Sequence, residues 1–327
     1  MFDKKFTLEE KIGQLFILGH REPTVTGHIT NMISTYHIGG VLLTNDSFYR
    51  PKHIYQLTNY LQRYAGIDTP IWLGVQDHHK ALADKGMTAT LPEAIVTAYN
   101  NRLYTKQLAE MNGDELRAVG LNFTVGPNFD FAGLTRESFM NDFRTKSQHA
   151  IAAVEGYHAA SVEAVTPVHS MLHHIFANQV ADKGRVLLYA EKFFNTVRSI
   201  ILSNEDMMNP LITNILINKL DYDGIIVADF SHVENNAQDI IHAFKEGAHM
   251  VMLNDDADTQ LMVMNDIIAA VKNGMLTETE IDLALVKVLA LKQLREINIV
   301  ERFDRDAFEH RHHRYLIDKI LSTQVVE

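Results

Sequence analysis

Tyr222-Asp223-Gly224-Ile225-Ile226-Val227-Ala228-Asp229-Phe230 reads as a strand buried on both faces, since a short apolar, β-branched run follows a glycine and ends on an aspartate. Runs of the same kind recur on either side of it: Leu15 to Leu18, Gly40 to Leu43, Ile71 to Val75, Asn122 to Val125, Val162 to Val165, Ser199 to Leu202 and Met250 to Leu253, which with Ile225 to Ala228 makes eight. Amphipathic stretches separate them, for example Tyr104 to Val119 and Gln238 to Glu246, and these read as covering helices. Alternation of buried strand and helix predicts a parallel sheet, and eight repeats favour closure into a (β/α)8 barrel. An open doubly wound sheet is the alternative, but no Gly-x-Gly-x-x-Gly follows the first strand to suggest a dinucleotide site.

No Pro/Gly/Ser-rich linker or low-complexity tract interrupts the 327 residues, so a single domain is expected over 1–327, with the barrel at about 8–275 and C-terminal helices at about 276–327. Within that last part, Leu276 to Asn298 carries apolar residues at helical spacing, and Arg302 to Glu327 reads as further helix closing the bottom or side of the barrel.

Composition narrows the function. Lys and Arg number 30 against 41 Asp and Glu, a net charge of −11, and no basic block offsets it, so nucleic acid is not an expected partner. With 46% hydrophobic and 22% charged residues the chain is an ordinary globular one. Cysteine is absent, which removes disulfides, thiolate metal sites and cysteine nucleophiles. The opening Met1 to Glu10 lacks the apolar stretch of a secretory signal, and no segment has about 20 uninterrupted apolar residues, so a cytoplasmic protein without membrane contact is expected.

In a barrel of this kind the chemistry lies on the loops after the strands. Those loops hold Gln76-Asp77-His78-His79-Lys80, Gly126 to Asp130, Arg136-Glu137-Ser138-Phe139, Pro167 to His174, and Asp229-Phe230-Ser231-His232. Polar and titratable groups therefore converge on one face, with Asp77, Asp130, His169 and Asp229 expected on the same rim.

The order of these pieces resembles glycoside hydrolase family 3, in particular its single-domain β-N-acetylglucosaminidase (β-hexosaminidase) branch, which trims cell-wall amino sugars. Lys11 to Phe16 is similar to the family's start, Tyr36 to Val41 to its second strand, and Glu115 to Leu121 with Pro127 to Asp130 to the segment running into Ala-Pro-Val-Leu-Asp. Tyr222 to Phe230 is similar to Gly-Phe-x-Gly-x-x-x-Ser-Asp-(Asp/Trp). The resemblance runs from about Leu8 to Leu253. It implies a retaining glycosidase with Asp229 as nucleophile, a carboxylate able to attack the anomeric carbon and leave again. The alternative reading is that Asp229 caps the following helix, as a strand-end aspartate in such a barrel can.

Around Asp229 the resemblance thins. The family's sugar-binding aspartate after the third strand aligns with Val75, and the lysine of Lys-His-Phe-Pro-Gly-His-Gly aligns with Val168. Neither valine can hydrogen-bond a sugar hydroxyl. Both histidines of that motif persist as His169 and His173, and Arg136 resembles the arginine of the family's Arg-Ser-Phe with one residue inserted. The expected substrate-binding set is Arg136, His169, Asp77, Gln76 and His173. The branch's acid/base, an Asp-x-His on the loop after the fifth strand, has no counterpart in Ile175 to Tyr189. The expected function is a family 3-like protein that acts on or binds a carbohydrate, with standard N-acetylglucosaminidase activity weak or lost and no cofactor. A non-catalytic sugar- or protein-binding descendant is the alternative.

A third reading starts from the 17 histidines. His20, His78, His79, His169, His173, His174 and His232 follow strand ends, where imidazoles with an aspartate could hold a catalytic metal, although no His-Glu-x-x-His helix accompanies them. Loop histidines without a ligand, partly inherited from a sugar site, are the favoured explanation. His310, His312 and His313 read as a solvated helix face, and Met250, Met252, Met262 and Met264 as core filling.

Overall fold

The computed structural model describes residues 6–47, 49–65, 71–76, 101–128, 139–169, 171–172, 183–231, 237–294, 300–308 and 311–322. All eight expected strands form: β1 (Phe16–His20), β2 (Gly40–Leu43), β3 (Trp72–Gln76), β4 (Phe123–Val125), β5 (Glu163–Pro167), β6 (Ser199–Ser203), β7 (Ile225–Asp229) and β8 (Met250–Leu253). They pair in parallel in sequence order, and β8 returns to β1 with Phe16 opposite Val251 and Leu18 opposite Leu253, so the sheet is a closed barrel and not an open one.

The described helices, in chain order, are α1 (Leu8–Gly13), α2 (Gly27–Tyr36), α3 (Pro51–Ala65), α4 (Arg102–Ala118), α5 (Phe139–Ala159), α6 (Lys183–Thr196), α7 (Asn204–Met207), α8 (Pro210–Asn214), α9 (Ala237–Lys245), α10 (Ala257–Lys272), α11 (Glu278–Leu294) and α12 (Arg311–Ser322). Their starts follow local chemistry. The Thr7 hydroxyl and Glu10 carboxylate form a capping box on α1, and Asp256 accepts from the N–H groups of Asp258 and Thr259 to begin α10. Among the described residues no helix is long and apolar enough to cross a membrane.

Trp72, Phe16, Phe123 and Phe230 are buried in one continuous apolar core with the strands, and the rings of Trp72 and Phe123 lie 5.8 Å apart. Met250, Met252 and Met264 belong to this core as expected, whereas Met262 does not. It sits on α10 two residues from Met264, so helical geometry turns it away from the face that carries Met264, and it is 51% exposed.

The tail is less helical than the sequence suggests. Among the described residues of the tail, helix runs over Arg311–Ser322, and those from Arg302 to Phe308 form turns and bends. Asp304 accepts from the N–H of Asp306, a side-chain turn that competes with helix, and Phe303 packs on Tyr55 of α3 and on Phe308. Carbonyls of Val300 and Glu301 accept from Asn59 and Tyr55, so the segment is strapped to α3 before α12 lays Leu316 and Ile320 on Leu108 and Met111 of α4.

At the N-terminal floor of the barrel the chain passes itself closely. Gly39 N–H donates to Gly13 O at 2.8 Å, and a methyl group on Gly39 would lie 2.0 Å from the carbonyl oxygen of Gln14. Lys292 of α11 is 1% exposed, its ammonium nitrogen 2.9 Å from Gln14 Oε1, while the Gln14 amide donates to His37 O. Burial pushes the Lys292 amine down to about 7, because water is not there to stabilise the charged form.

Two expectations follow. Gly39→Ala should destabilise the protein by about 1 to 3 kcal/mol in urea denaturation, since a backbone oxygen cannot move aside as a side-chain tip can; an unchanged midpoint would mean that the floor is looser than the contact distance implies. For Lys292, an unfolded amine binds its proton up to about pH 10.4 while the buried one releases it near 7, so the wild type gains stability as pH rises between those values. Lys292→Met, which removes the buried amine, should therefore raise stability by about 1 to 4 kcal/mol near pH 6, with the advantage shrinking toward pH 10. A difference that stays constant across this range would show that Lys292 keeps its proton in the folded state.

Candidate active site

The ladder places the ends of neighbouring strands at matched heights. Pro167 of β5 stands opposite Ile201 of β6, and Ile201 opposite Val227 of β7; two residues further on, Ser203 is opposite Asp229. His169 follows β5 by two residues, where the chain turns into helix, so β6 and β7 bring Ser203 and Asp229 level, and His169 lies just beyond the end of the neighbouring strand.

Asp229 is half-buried at the C-terminal end of β7, and its Oδ1 accepts from the N–H of Ser231 at 2.9 Å. This is a local turn bond within the strand-end loop; the described part of α9 runs from Ala237 to Lys245. Ser231 Oγ, beside this aspartate, is buried without a hydrogen-bond partner, as is Thr44 Oγ1 just past β2.

His169 sits with a partner that the sequence did not suggest. Its Nδ1 donates to Oδ2 of Asp206 at 2.8 Å; the carboxylate is 1% exposed and the imidazole side chain 51% exposed. Asp206 is held by β6 and α7: Ser203 caps the short helix, its hydroxyl accepting from the Asp206 N–H at 3.2 Å. The signal that could have found it is Ser203-Asn204-Glu205-Asp206, a capping-box spacing directly after a strand. In a usual capping box the acid turns back to its own helix; here its side chain crosses to β5.

Of the other expected ligand contacts, Gln76 ends β3 with its side chain exposed. Asp77, Asp130, Arg136 and His173 lie outside the described residues, as does most of the loop searched for an Asp-x-His pair. Val75 and Val168 are both buried in the apolar core, so neither position offers a hydrogen bond to anything at the mouth.

His20 contrasts with His169. It closes β1 but is buried, its Nε2–H donates to Thr24 O at 3.0 Å, and burial lowers its pKa, so it stays neutral and serves the loop. Arg21 beside it donates to the backbone oxygen of Asn254, and Gln260 donates to Gly19 O, which fastens β1 to the end of β8. Among the described residues no three His, Asp or Glu side chains are grouped closely enough to hold a metal; His78, His79, His173, His174 and His232 lie outside them.

Chemically, this stretch of rim offers a fixed carboxylate, an oriented imidazole backed by a buried carboxylate, and two hydroxyls in need of partners. The sequence matches a model described as the N-terminal domain of glycosyl hydrolase family 3 over residues 7–189, more than half of the chain. Similar folds include a family 3 β-N-acetylglucosaminidase from Paenibacillus sp., with a TM-score of 0.79 and 18% identity over 97% of this chain and 68% of that one. A β-N-acetylhexosaminidase from Beutenbergia cavernae gives a TM-score of 0.71 and 18% identity over 88% of this chain and 99% of that one. A β-glucoside phosphorylase gives a TM-score of 0.71 and 16% identity, with 96% of this chain aligned to 64% of the other. No curated protein matches the sequence. At such identities the solved structures speak for the barrel, whereas the match over residues 7–189 speaks for descent: this chain belongs to glycosyl hydrolase family 3.

Proposed function

We propose that the chain acts on a β-linked carbohydrate by a retaining mechanism with Asp229 as nucleophile, and that its turnover of simple N-acetyl-β-glucosaminides is weak. The observation that carries this reading is the fixed half-buried carboxylate of Asp229 at the mouth of a family 3 barrel, level with Ser203. Thr44 and Ser231, whose hydroxyl oxygens are buried and unpaired, are suited to sugar hydroxyls, which both donate and accept. Hexosaminidase relatives make a cell-wall amino sugar the first ligand to try.

Weak turnover follows from Val75 and Val168. Each replaces a charged partner for sugar hydroxyls that the family supplies, and each such bond contributes roughly 1.5 to 3 kcal/mol. Two losses together lower kcat/KM by on the order of 10² to 10⁴. The burial of both valines also supports a second reading, a non-catalytic sugar-binding descendant, because the positions are committed to the core.

The deciding measurement is hydrolysis of 4-methylumbelliferyl N-acetyl-β-D-glucosaminide by the wild type and by Asp229→Asn. Slow turnover that disappears in the variant is the expected result. Identical rates for the two proteins, with N-acetylglucosamine still binding in calorimetry, would replace the enzyme by the binding protein, and brisk turnover would refute the argument from the valines. Inclusion of a chelator in the same assays separates a histidine-based metal hydrolase, whose activity would fall with metal removal.

A further inference from the structure

We propose that α11 is a dimerisation helix: two copies of this chain pack floor to floor through its outer face, about a two-fold axis near Val286. The inference concerns the end of the barrel opposite the mouth and stands whichever way Asp229 is read.

The observation that carries it is a helix apolar on both sides. Inward, α11 buries Ile281, Ala284, Leu285, Val288 and Leu291 in the core. Outward, Leu283 and Val286 are each 67% exposed, and Ala290 is exposed with them. A helix that meets solvent ordinarily turns polar residues toward it, as α10 does with Asp258, Asn265, Asp266 and Lys272. A helix apolar all round is the kind that is covered on every side. The uncovered positions also have the spacing of a helix–helix seam: Thr279, Leu283, Val286, Ala290 and Gln293 are all exposed and follow one another at gaps of four, three, four and three residues.

Two features make a second copy the occupant. The seam is its own complement, because an antiparallel pair centred on Val286 sets Val286 against its counterpart, Leu283 of each copy against Ala290 of the other, and Thr279 against Gln293. Large thus meets small, and the polar residues fall at the two ends. The surrounding charge is balanced as well. Beside α11 lies a groove of about 470 Å³ with Phe194 and Ala290 on its walls and Arg198, Lys287, Asp221 and Asp223 among its lining residues. On a chain of net charge −11 this surface carries two cations and two carboxylates, and Lys11 already pairs with Glu278 and Asp282 at the start of α11. A copy turned by a two-fold axis brings the same balanced set, so cations of each can face carboxylates of the other, whereas a strongly basic or acidic partner would meet its own sign. Position agrees with this. Lys292 is bonded to Gln14 ahead of β1 and Lys287 to Asp223 ahead of β7, so α11 crosses beneath the strand starts and a floor-to-floor pair turns both mouths outward.

Sedimentation equilibrium of the full chain from about 1 to 100 μM decides it, a range that spans the dissociation constants of modest interfaces. The wild type should approach twice the chain mass of 37.1 kDa as concentration rises. Val286→Lys and Val286→Glu should each weaken association by at least about tenfold. Because Val286 meets its own counterpart, an equimolar mixture of the two variants should restore dimers that neither forms alone. Both substitutions are at an exposed position, and matched melting temperatures verify that the fold is kept. Should a charge variant melt early, Val286→Cys replaces it: the chain has no other cysteine, so a short bismaleimide should link two copies through this position in a yield that rises with protein concentration. A wild type that stays at the mass of one chain throughout overturns the proposal and leaves α11 to a different partner. A dimer that survives both charge variants, a mixture no more associated than its components, or Val286→Cys dimers that the bismaleimide does not link would overturn it too, since the contact then lies elsewhere.

Discussion

The return of β8 to β1 is the constraint on which the rest depends. Val251 N–H donates to Leu15 O at 2.8 Å, and with Phe16 opposite Val251 the sheet has no edge left. Closure fixes the height of every strand relative to its neighbours, and only because those heights are fixed do residues from distant parts of the sequence reach one rim. Ser203 and Asp229, 26 residues apart, are brought level by the register of β6 on β7. The same closure separates labour between the two ends. The floor contains Gly13 and Gly39 in close backbone contact, Lys292 on Gln14, and Ser199 donating to the buried Glu163 at 2.8 Å. None of these needs solvent, whereas the rim leaves His169 and Asp229 partly open.

The strands and their order were legible because each is a β-branched apolar run of four or five residues, the pattern that burial on both faces demands. Helix limits were less so. The tail from Arg302 to Phe308 forms turns where helix was expected, because the turn at Asp304 and the docking of Phe303 on Tyr55 are decided by local side-chain and tertiary contacts. Met262 was misplaced because position on a helix face, not residue type, decides burial. At the candidate site, Asp229 was legible from its place after a strand within a family-like stretch. Asp206 was not, since 37 residues separate it from His169 and its local pattern reads as a helix start. Pairings between neighbouring strand ends are a product of register, and sequence gives register only through the strands themselves.

Buried polar groups near the floor show how the protein keeps charges out of its interior. Lys292 loses its proton tendency by burial, and the Tyr222 phenol is pushed well up by burial first and by the nearby Glu163 second, so it remains protonated. The Lys287–Asp223 pair at 2.9 Å lies at the solvent edge, where such pairs contribute little stability. These groups serve to specify how α11 and the starts of β6 and β7 meet. Their alternative arrangements would leave a buried donor or acceptor unmet.

The histidines make the point about function most sharply, because one residue type takes different roles according to burial and partner. His249 accepts a bond from the N–H of Ile226 through Nδ1 and is held at about 4 by burial first and by Lys287 second, so it is a neutral acceptor within the floor. His149, bonded to Thr105 at 2.6 Å, is likewise kept neutral by burial. His20 reaches the rim yet spends its Nε2–H on a backbone oxygen. His169 differs from these three in two ways at once: half its side chain is open, and the group behind it is a carboxylate and not a neutral acceptor. An open imidazole without an anchor would rotate, and an anchored imidazole without access would be structural. Among these four histidines only His169 combines an exposed ring with a buried carboxylate partner, the ring following β5 and the carboxylate following β6.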